Sequence, residues 1–225
     1  MGNDCFSKIP KECRGFGETC FDERLRVAKS FIEKFVERIA PPKGQLDNSN
    51  EAWTQSVRGR FIDICPSDCE PRPKNRCSSK GEFLLDYIWE EKDNGKRILL
   101  ASESEWGEDR YGNVHWDMVE DDFEKLLVLK APFKVLIFSS NFKMNDPEGS
   151  EKGDFSIGFA KDKLKVSLNN YEHHLPGEVY IFIDFPQTKE EDSPGIYRSF
   201  LWLSKNYGKA EVGFEEAGNN LLFRP

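Results

Sequence analysis

Residues 82–106, EFLLDYIWEEKDNGKRILLASESEW, decide how the rest of the chain is read. Two apolar runs of strand length flank Lys92-Asp93-Asn94-Gly95, a turn signal of the hairpin type. In the first run Phe83, Leu85, Tyr87 and Trp89 alternate with Leu84, Asp86 and Ile88, so both faces are apolar and a buried strand is expected. An ionised aspartate in such a strand costs on the order of several kcal/mol unless a partner offsets it. The second run begins apolar and ends in Glu103-Ser104-Glu105, with Leu99, Ala101, Glu103 and Glu105 on one face. A turn centred between Asp93 and Asn94 places Asp86 opposite Ala101 and makes Asp86 and Glu103 diagonal neighbours at roughly 7–8 Å. Asp86, Glu103 and Glu105 then face one way, whereas a slip of one residue sends Asp86 to the other face.

Outward from this hairpin, Leu25, Ala28, Phe31, Ile32, Phe35, Val36 and Ile39 recur at helical spacing over residues 22–39, and Pro41-Pro42 ends the helix. Residues 43–56 are polar. Arg60-Phe61-Ile62-Asp63-Ile64 reads as a short strand, and residues 65–80 as a Pro-, Cys- and Arg-rich loop. After the hairpin, residues 117–130 read as a helix with Asp117 as its cap, Glu120 three residues on, and Phe123, Leu126 and Leu127 as its buried stripe. Residues 133–139 and 179–185 read as strands, residues 150–172 as a helix interrupted by Gly153 and Gly158, and residues 198–202 and 209–214 as one or two peripheral strands. The alternation predicts an α/β chain, one mixed β-sheet flanked by helices, with no internal repeat and no linker.

Composition narrows the function classes. The chain has 225 residues, 38% of them hydrophobic and 13% aromatic. That is enough to form a core, and no apolar run approaches the roughly 20 residues of a membrane span. The 32 basic and 40 acidic residues leave a net charge of −8, with a pI near 5.1. Bulk electrostatic capture of nucleic acid is therefore not expected. The first residues, Met1-Gly2-Asn3-Asp4-Cys5-Phe6, have neither a signal-peptide pattern nor a myristoylation pattern. A cytoplasmic location with six cysteine thiols is the expectation.

Three clustered carboxylates repel one another unless they are protonated or neutralised. All-oxygen ligation by Asp86, Glu103 and Glu105 suits Mg²⁺ or Mn²⁺, and such an ion serves phosphodiester hydrolysis. The alternative is that the two glutamates end a solvated strand while backbone donors satisfy Asp86. Four of the six cysteines would have to converge to hold a structural Zn²⁺; Cys65-x₃-Cys69-x₇-Cys77 and Cys5-x₇-Cys13-x₆-Cys20 contain no Cys-x₂-Cys. His115, His173 and His174 have no metal-ligand spacing, and no nucleophile elbow, P-loop, dinucleotide fingerprint or His-Glu-x-x-His occurs. Arg58 and Arg60 before the first strand, and Arg72, Lys74, Arg76 and Lys80 in the loop, are candidate phosphate contacts. Lys161, Lys163 and Lys165 read as a helix face.

Phe83-Leu84-Leu85-Asp86, a turn, Leu99 to Trp106 with Glu103-Ser104-Glu105, then a helix and a strand, together resemble the PD-(D/E)xK nuclease superfamily, the restriction-endonuclease-like fold. The resemblance covers residues 22–140 and implies a core of helix, three strands, helix and strand. A C-terminal α/β extension would follow at 141–225, and an irregular Cys-containing arm would precede at 1–21, all in one domain. It implies Asp86 and Glu103 as metal ligands and a Mg²⁺-dependent endonuclease acting on DNA or RNA. Two positions depart from the pattern. Leu85 stands where the superfamily has Pro, a minor change. Glu105 stands at the Lys position, which matches the E-x-E variant of the superfamily and makes Glu105 a second ligand or the water-orienting base. Other members recruit a lysine from the following helix, where Lys125 is the candidate, set against a solvated pairing with Asp121. The missing lysine and acidic pI keep a second reading open: a catalytically inactive protein on this scaffold that binds a protein or nucleic acid. Weak, salt-sensitive binding of a nucleic-acid substrate is expected, with no membrane partner; substrate type and oligomeric state stay open.

Overall fold

The computed structural model describes residues 14–16, 20–37, 50–73, 85–92, 97–105, 116–140, 142–145, 151–155, 157–185, 197–206, 209–210 and 215–216. In chain order these form α1 (Phe21–Val36), α2 (Asn50–Asp63), β1 (Cys69–Pro73), β2 (Tyr87–Glu91), β3 (Ile98–Glu105), α3 (Trp116–Val128), β4 (Phe133–Phe138), β5 (Phe142–Asn145), β6 (Glu151–Phe155), α4 (Ile157–Asn170), β7 (Val179–Asp184), β8 (Arg198–Asn206), β9 (Lys209–Ala210) and β10 (Glu215–Glu216). A mixed sheet runs β1-β2-β3-β4-β7-β8, with the short β9 and β10 both paired to β8. β3, β4 and β7 are parallel, and β1-β2-β3 is an antiparallel meander. β5 and β6 pair only with each other.

Helices cover both faces because the central strands are apolar on both. Every residue of β4 and of β7 is buried, the pattern expected of parallel strands covered from two sides. On one face Tyr87, Trp89, Leu100, Val135, Ile137 and Ile181 pack on Phe31 and Phe35 of α1 and on Val57 and Phe61 of α2. On the other, Ala101, Leu136, Phe182 and Trp202 pack on Phe123 and Leu126 of α3 and Leu164 and Leu168 of α4. Each such large apolar side chain contributes roughly 1.5–3 kcal/mol.

α2 is locked in place at several points. Arg60 Nε donates to Lys34 O at 2.8 Å and to Phe35 O at 3.2 Å, so it satisfies carbonyls at the end of α1 that lack helical partners. Phe61 stacks on Tyr87 with centroids 5.1 Å apart. Tyr87 Oη donates to Thr54 O at 3.2 Å, and Trp89 Nε1 donates to Phe61 O at 3.2 Å. Near the start of β7, Gly177 has φ 86°, a conformation that costs glycine nothing. It donates its N–H to Ser204 O and accepts from the buried Arg24 Nη1 at 2.8 Å.

Several expectations change here. Residues 60–64 are not a strand. They belong to the end of α2 and its exit, because Val57, Phe61 and Ile64 form a helical stripe that a five-residue window does not separate from alternation. The first sheet strand is instead β1, inside the expected loop; residues 74–80 lie outside the described residues. Residues 151–155 are β6 rather than the start of a helix, and α4 begins at Ile157. Asp117 lies in the first turn of α3 rather than capping it. Cys20 is disulfide-bonded and only Cys65 and Cys69 among the described residues are free thiols. The expectation of six thiols therefore fails, and the argument for a reducing compartment loses that support. No helix among the described residues is long and apolar enough to cross a membrane.

Candidate functional site

The hairpin register places the site. Ile88 pairs with Ala101 and Tyr87 with Ser102, so Asp86 meets Glu103 rather than Ala101. A bulge between Trp89 and Glu90 accounts for one residue of this two-residue slip, and residues 93–96 of the expected turn lie outside the described residues. An even slip keeps the faces, which is why Asp86 still converges on Glu103. Asp86 is also not mid-strand: it forms the bend just before β2. There it bonds β3 from both sides. Asp86 N donates to Glu103 Oε2 at 3.1 Å. Asp86 Oδ2 accepts from Ser104 N at 3.0 Å and from Ser104 Oγ at 2.9 Å.

Glu103 is 1% exposed. Burial pushes its carboxyl up to about 9, and the negative charges of Asp86 and Asp122 add to this. The Lys125 ammonium and the Asp86 N–H oppose the shift without cancelling it. Its Oε1 is buried with no hydrogen-bond partner, and Lys125 Nζ stands 3.8 Å from it. Lys125 also bonds Asp122, one turn back on α3. Partial burial works against the Lys125 ammonium, but the Asp122 hydrogen bond and the charges of Glu103, Asp122 and Asp86 outweigh it and hold its pKa above the usual lysine value. The expected partner Asp121 gives way to Asp122, because the residue three back faces the sheet. Asp122 is thus a site residue that the sequence did not single out.

Glu105 lies two residues further along β3, half-buried and across from Phe138. Among the described residues no three His, Cys, Asp or Glu side chains form a group able to hold a metal ion. Asp86 and Glu103 are clasped together, whereas no three-carboxylate group including Glu105 is formed.

The carboxyl ends of β3, β4 and β7 lie side by side, the edge at which open α/β sheets bind ligands. Asp184 stands there in the same row as Glu105, Phe138 and Arg198. It is fully buried. Ser140 Oγ donates to its Oδ2 at 2.7 Å, while Oδ1 has no hydrogen-bond partner. Burial pushes its carboxyl up to about 7 against the Ser140 bond and the Arg198 charge. No signal in the sequence singled it out, since an aspartate ending a strand is ordinary. Between 3.8 and about 7 the folded state keeps a proton that the unfolded chain has released. Stability therefore falls as pH rises through that window. Urea unfolding at about pH 5 and about pH 8 should show this loss in the wild type and a smaller one in Asp184→Asn, and an equal loss in both would remove Asp184 as its source.

Of the basic candidates, Arg60 is buried against α1 carbonyls and Arg72 pairs with Glu90 at 2.7 Å. Lys74, Arg76, Lys80, Cys5, Cys13, Cys77 and His115 lie outside the described residues. His174 lies in the loop between α4 and β7 and is buried there in a polar cluster with Glu178 and Tyr180, at the opposite end of the sheet. No protein-family model, curated protein or solved structure matches this chain.

Proposed function

We propose that Asp86, Glu103 and Lys125 are the centre of a divalent-metal-dependent phosphodiester hydrolase acting on a nucleic-acid backbone. The observation that carries this is Lys125 Nζ at 3.8 Å from the buried Glu103. A cation is thereby supplied from α3 where the PD-(D/E)xK pattern places one two residues after the glutamate, a position held here by Glu105. The chain order supports the same reading. A helix, the meander β1-β2-β3, the crossover helix α3 and parallel β4 follow the order of the superfamily core, with β1 in place of residues 60–64 as first strand and α2 as an addition.

The orphaned Glu103 Oε1 beside the Asp86 carboxylate is an all-oxygen donor set that fits Mg²⁺ or Mn²⁺, which are bound by one or two carboxylates and waters. Asp86 and Glu103 would hold the ion, with Glu105 further along the strand as an outer acid. Such an ion, when bound, supplies Lewis-acid stabilisation of a phosphoryl oxygen. The side chains do the rest. Lys125 places a fixed positive charge where negative charge grows on the phosphate. Asp122 holds that ammonium in place. Ser104 fixes the Asp86 carboxylate through two hydrogen bonds. The buried wall around Glu103 excludes water and strengthens each of these charges.

The second reading, a non-catalytic binding protein on this scaffold, draws on Glu105 at the Lys position and on Asp86 Oδ2, which Ser104 already occupies. Cleavage of labelled DNA and RNA with Mn²⁺ decides between them. The wild type should cleave at least one, and Asp86→Asn should cleave neither. Cleavage that survives in Asp86→Asn removes the site assignment. No cleavage, combined with no calorimetric binding of Mn²⁺ at millimolar concentration, leaves the second reading.

A further inference from the structure

We infer that a nucleic-acid strand held at Asp86 and Glu103 continues across the carboxyl edge of the sheet to β8, where Arg198 and Lys161 take its backbone phosphates. The inference rests on the reading of that site as one for phosphodiesters.

The sheet register places Arg198. Glu105 of β3 pairs with Phe138 of β4, Phe138 with Asp184 of β7, and Asp184 with Arg198 of β8. Paired residues share a face, so this row stands on the face of Glu103, two residues back along β3. α3 and α4 cover that face. Leu136 and Phe182 in the row of Glu103, and Phe200 two residues from Arg198, pack with Phe123 and Leu164. Arg198 is thus on the same face as Glu103 and α3, at the same edge. Three strand spacings separate its backbone from that of Glu105, about 14 Å in all. A nucleic-acid strand carries a phosphate about every 3.4 Å along a duplex, so the span is about four phosphates.

The guanidinium is available there. Arg24 and Arg60 are buried on backbone carbonyls, and Arg14, Arg26, Arg72 and Arg97 each pair with a carboxylate. Arg198 is half-buried, and among the described residues no hydrogen bond or ion pair holds it. Its cross-strand neighbour Asp184 is turned to Ser140 Oγ, 2.7 Å from Oδ2. Burial pushes that carboxyl up to about 7, so it is partly protonated at neutral pH and leaves the arginine charge uncancelled. Lys161 of α4 adds a second charge. Its Nζ lies 4.0 Å from the centroid of the Phe200 ring, and Phe200 stands at the far end of the row of Glu103. An aromatic ring attracts an ammonium without neutralising it. No acidic residue lies in the first turn of α4.

The charge balance requires such groups. Asp86 and Asp122 beside Glu103 are offset, among the described residues, by Lys125, in a chain of net charge −8. A polyanion is repelled there unless cations outside the acidic cluster receive it. Arginine suits the task, because its planar fork binds two phosphate oxygens at once.

Anisotropy of a labelled DNA or RNA oligonucleotide without metal reads these contacts separately from cleavage. Arg198→Gln should make the slope of log affinity against log salt less steep by about 1, and Arg198→Gln with Lys161→Gln by about 2. Between about 50 and 200 mM salt the single variant should then lose about threefold less affinity than the wild type. Arg198→Lys, which keeps the charge, should keep the wild-type slope. So should Arg26→Gln, which removes an exposed arginine on α1, the helix over the other face. A wild-type slope in Arg198→Gln, a lowered one in Arg198→Lys, or a wild type that binds neither oligonucleotide overturns the inference. Cleavage judges the Asp86 site by itself. Cleavage with an unchanged Arg198→Gln slope sinks only the path to β8, whereas a reduced slope without cleavage keeps the phosphate contacts and sinks the hydrolase.

Discussion

Replacing Lys125 by alanine should slow Mn²⁺-dependent cleavage by about 10²–10³-fold, the usual cost of removing one preorganised charge aimed at a developing oxyanion. The reason is arithmetic of charge within a small volume. Asp86, Glu103 and Asp122 contribute three acidic groups, and among the described residues Lys125 is the one cation acting on Glu103. Without it nothing on α3 offsets the charge that grows on the phosphate. The loss should fall on kcat rather than on folding, because the Lys125 side chain is 35% exposed and the buried Glu103 carboxyl, pushed up to about 9, holds a proton at neutral pH and leaves no bare charge when the lysine is removed. Lys125→Arg should keep part of the rate, since the charge remains while its point geometry is lost. Steady-state kinetics with circular dichroism as the folding control make the measurement. A Lys125→Ala protein with an unchanged kcat would take away the observation on which the hydrolase proposal stands.

Lys125 also shows what the chain discloses about itself. Its candidacy was legible because residues 117–130 read as a helix with Phe123, Leu126 and Leu127 inward, and the resemblance implies a lysine from that helix. Its partner was not legible. Whether Asp121 or Asp122 receives the ammonium depends on the rotation of α3 over β3, which is set by packing against Leu136 and Phe182 on distant strands. β4 and β7 were readable for a different reason: continuous apolar runs of strand length have few other fates than a two-sided core.

The hairpin was readable only in part. Alternation set which residues share a face, and that survived, because Asp86 and Glu103 do converge. The exact pairing did not survive, since a bulge leaves no mark in composition. α2 failed for want of contrast. Its polar positions hide a stripe of Val57 and Phe61 that becomes apolar only against Trp89 and Tyr87 of the sheet. Asp184 and His174 belong to a class that no local pattern reveals. Their burial is a property of what the chain brings to them, not of their neighbours in sequence.

Lys134→Ala should be the most destabilising of the substitutions considered, by about 3–5 kcal/mol, which is the range for removing one partner of a buried ion pair. Lys134 lies at the amino-terminal end of β4 and is 1% exposed. Its Nζ is 3.0 Å from Glu178 Oε1 and donates to Tyr180 Oη at 2.8 Å and to Leu127 O at 3.3 Å. Tyr180 Oη donates onward to Glu178 Oε2 at 3.2 Å. His174 Nε2 lies 2.9 Å from Leu168 O at the end of α4, and its Nδ1 lies 3.2 Å from Tyr180 Oη. One ammonium therefore joins β4, β7, α3 and the segment after α4. Burial lowers the Lys134 pKa to about 8, and the Glu178 carboxylate opposes that shift. With Lys134 gone, the fully buried Glu178 has no lysine or arginine partner among the described residues, only the His174 ring 3.4 Å away, and the cost of its burial is no longer offset. Against a total stability of about 5–15 kcal/mol, the variant stands close to the unfolding threshold. The double variant Lys134→Met with Glu178→Gln removes both charges and should regain most of the loss, because the cost lies in the unpaired charge rather than in a missing attraction. Urea titration of the two variants against the wild type separates these terms. If Lys134→Ala lies within about 1 kcal/mol of the wild type, the cluster is solvated or neutral and the burial argument for it fails.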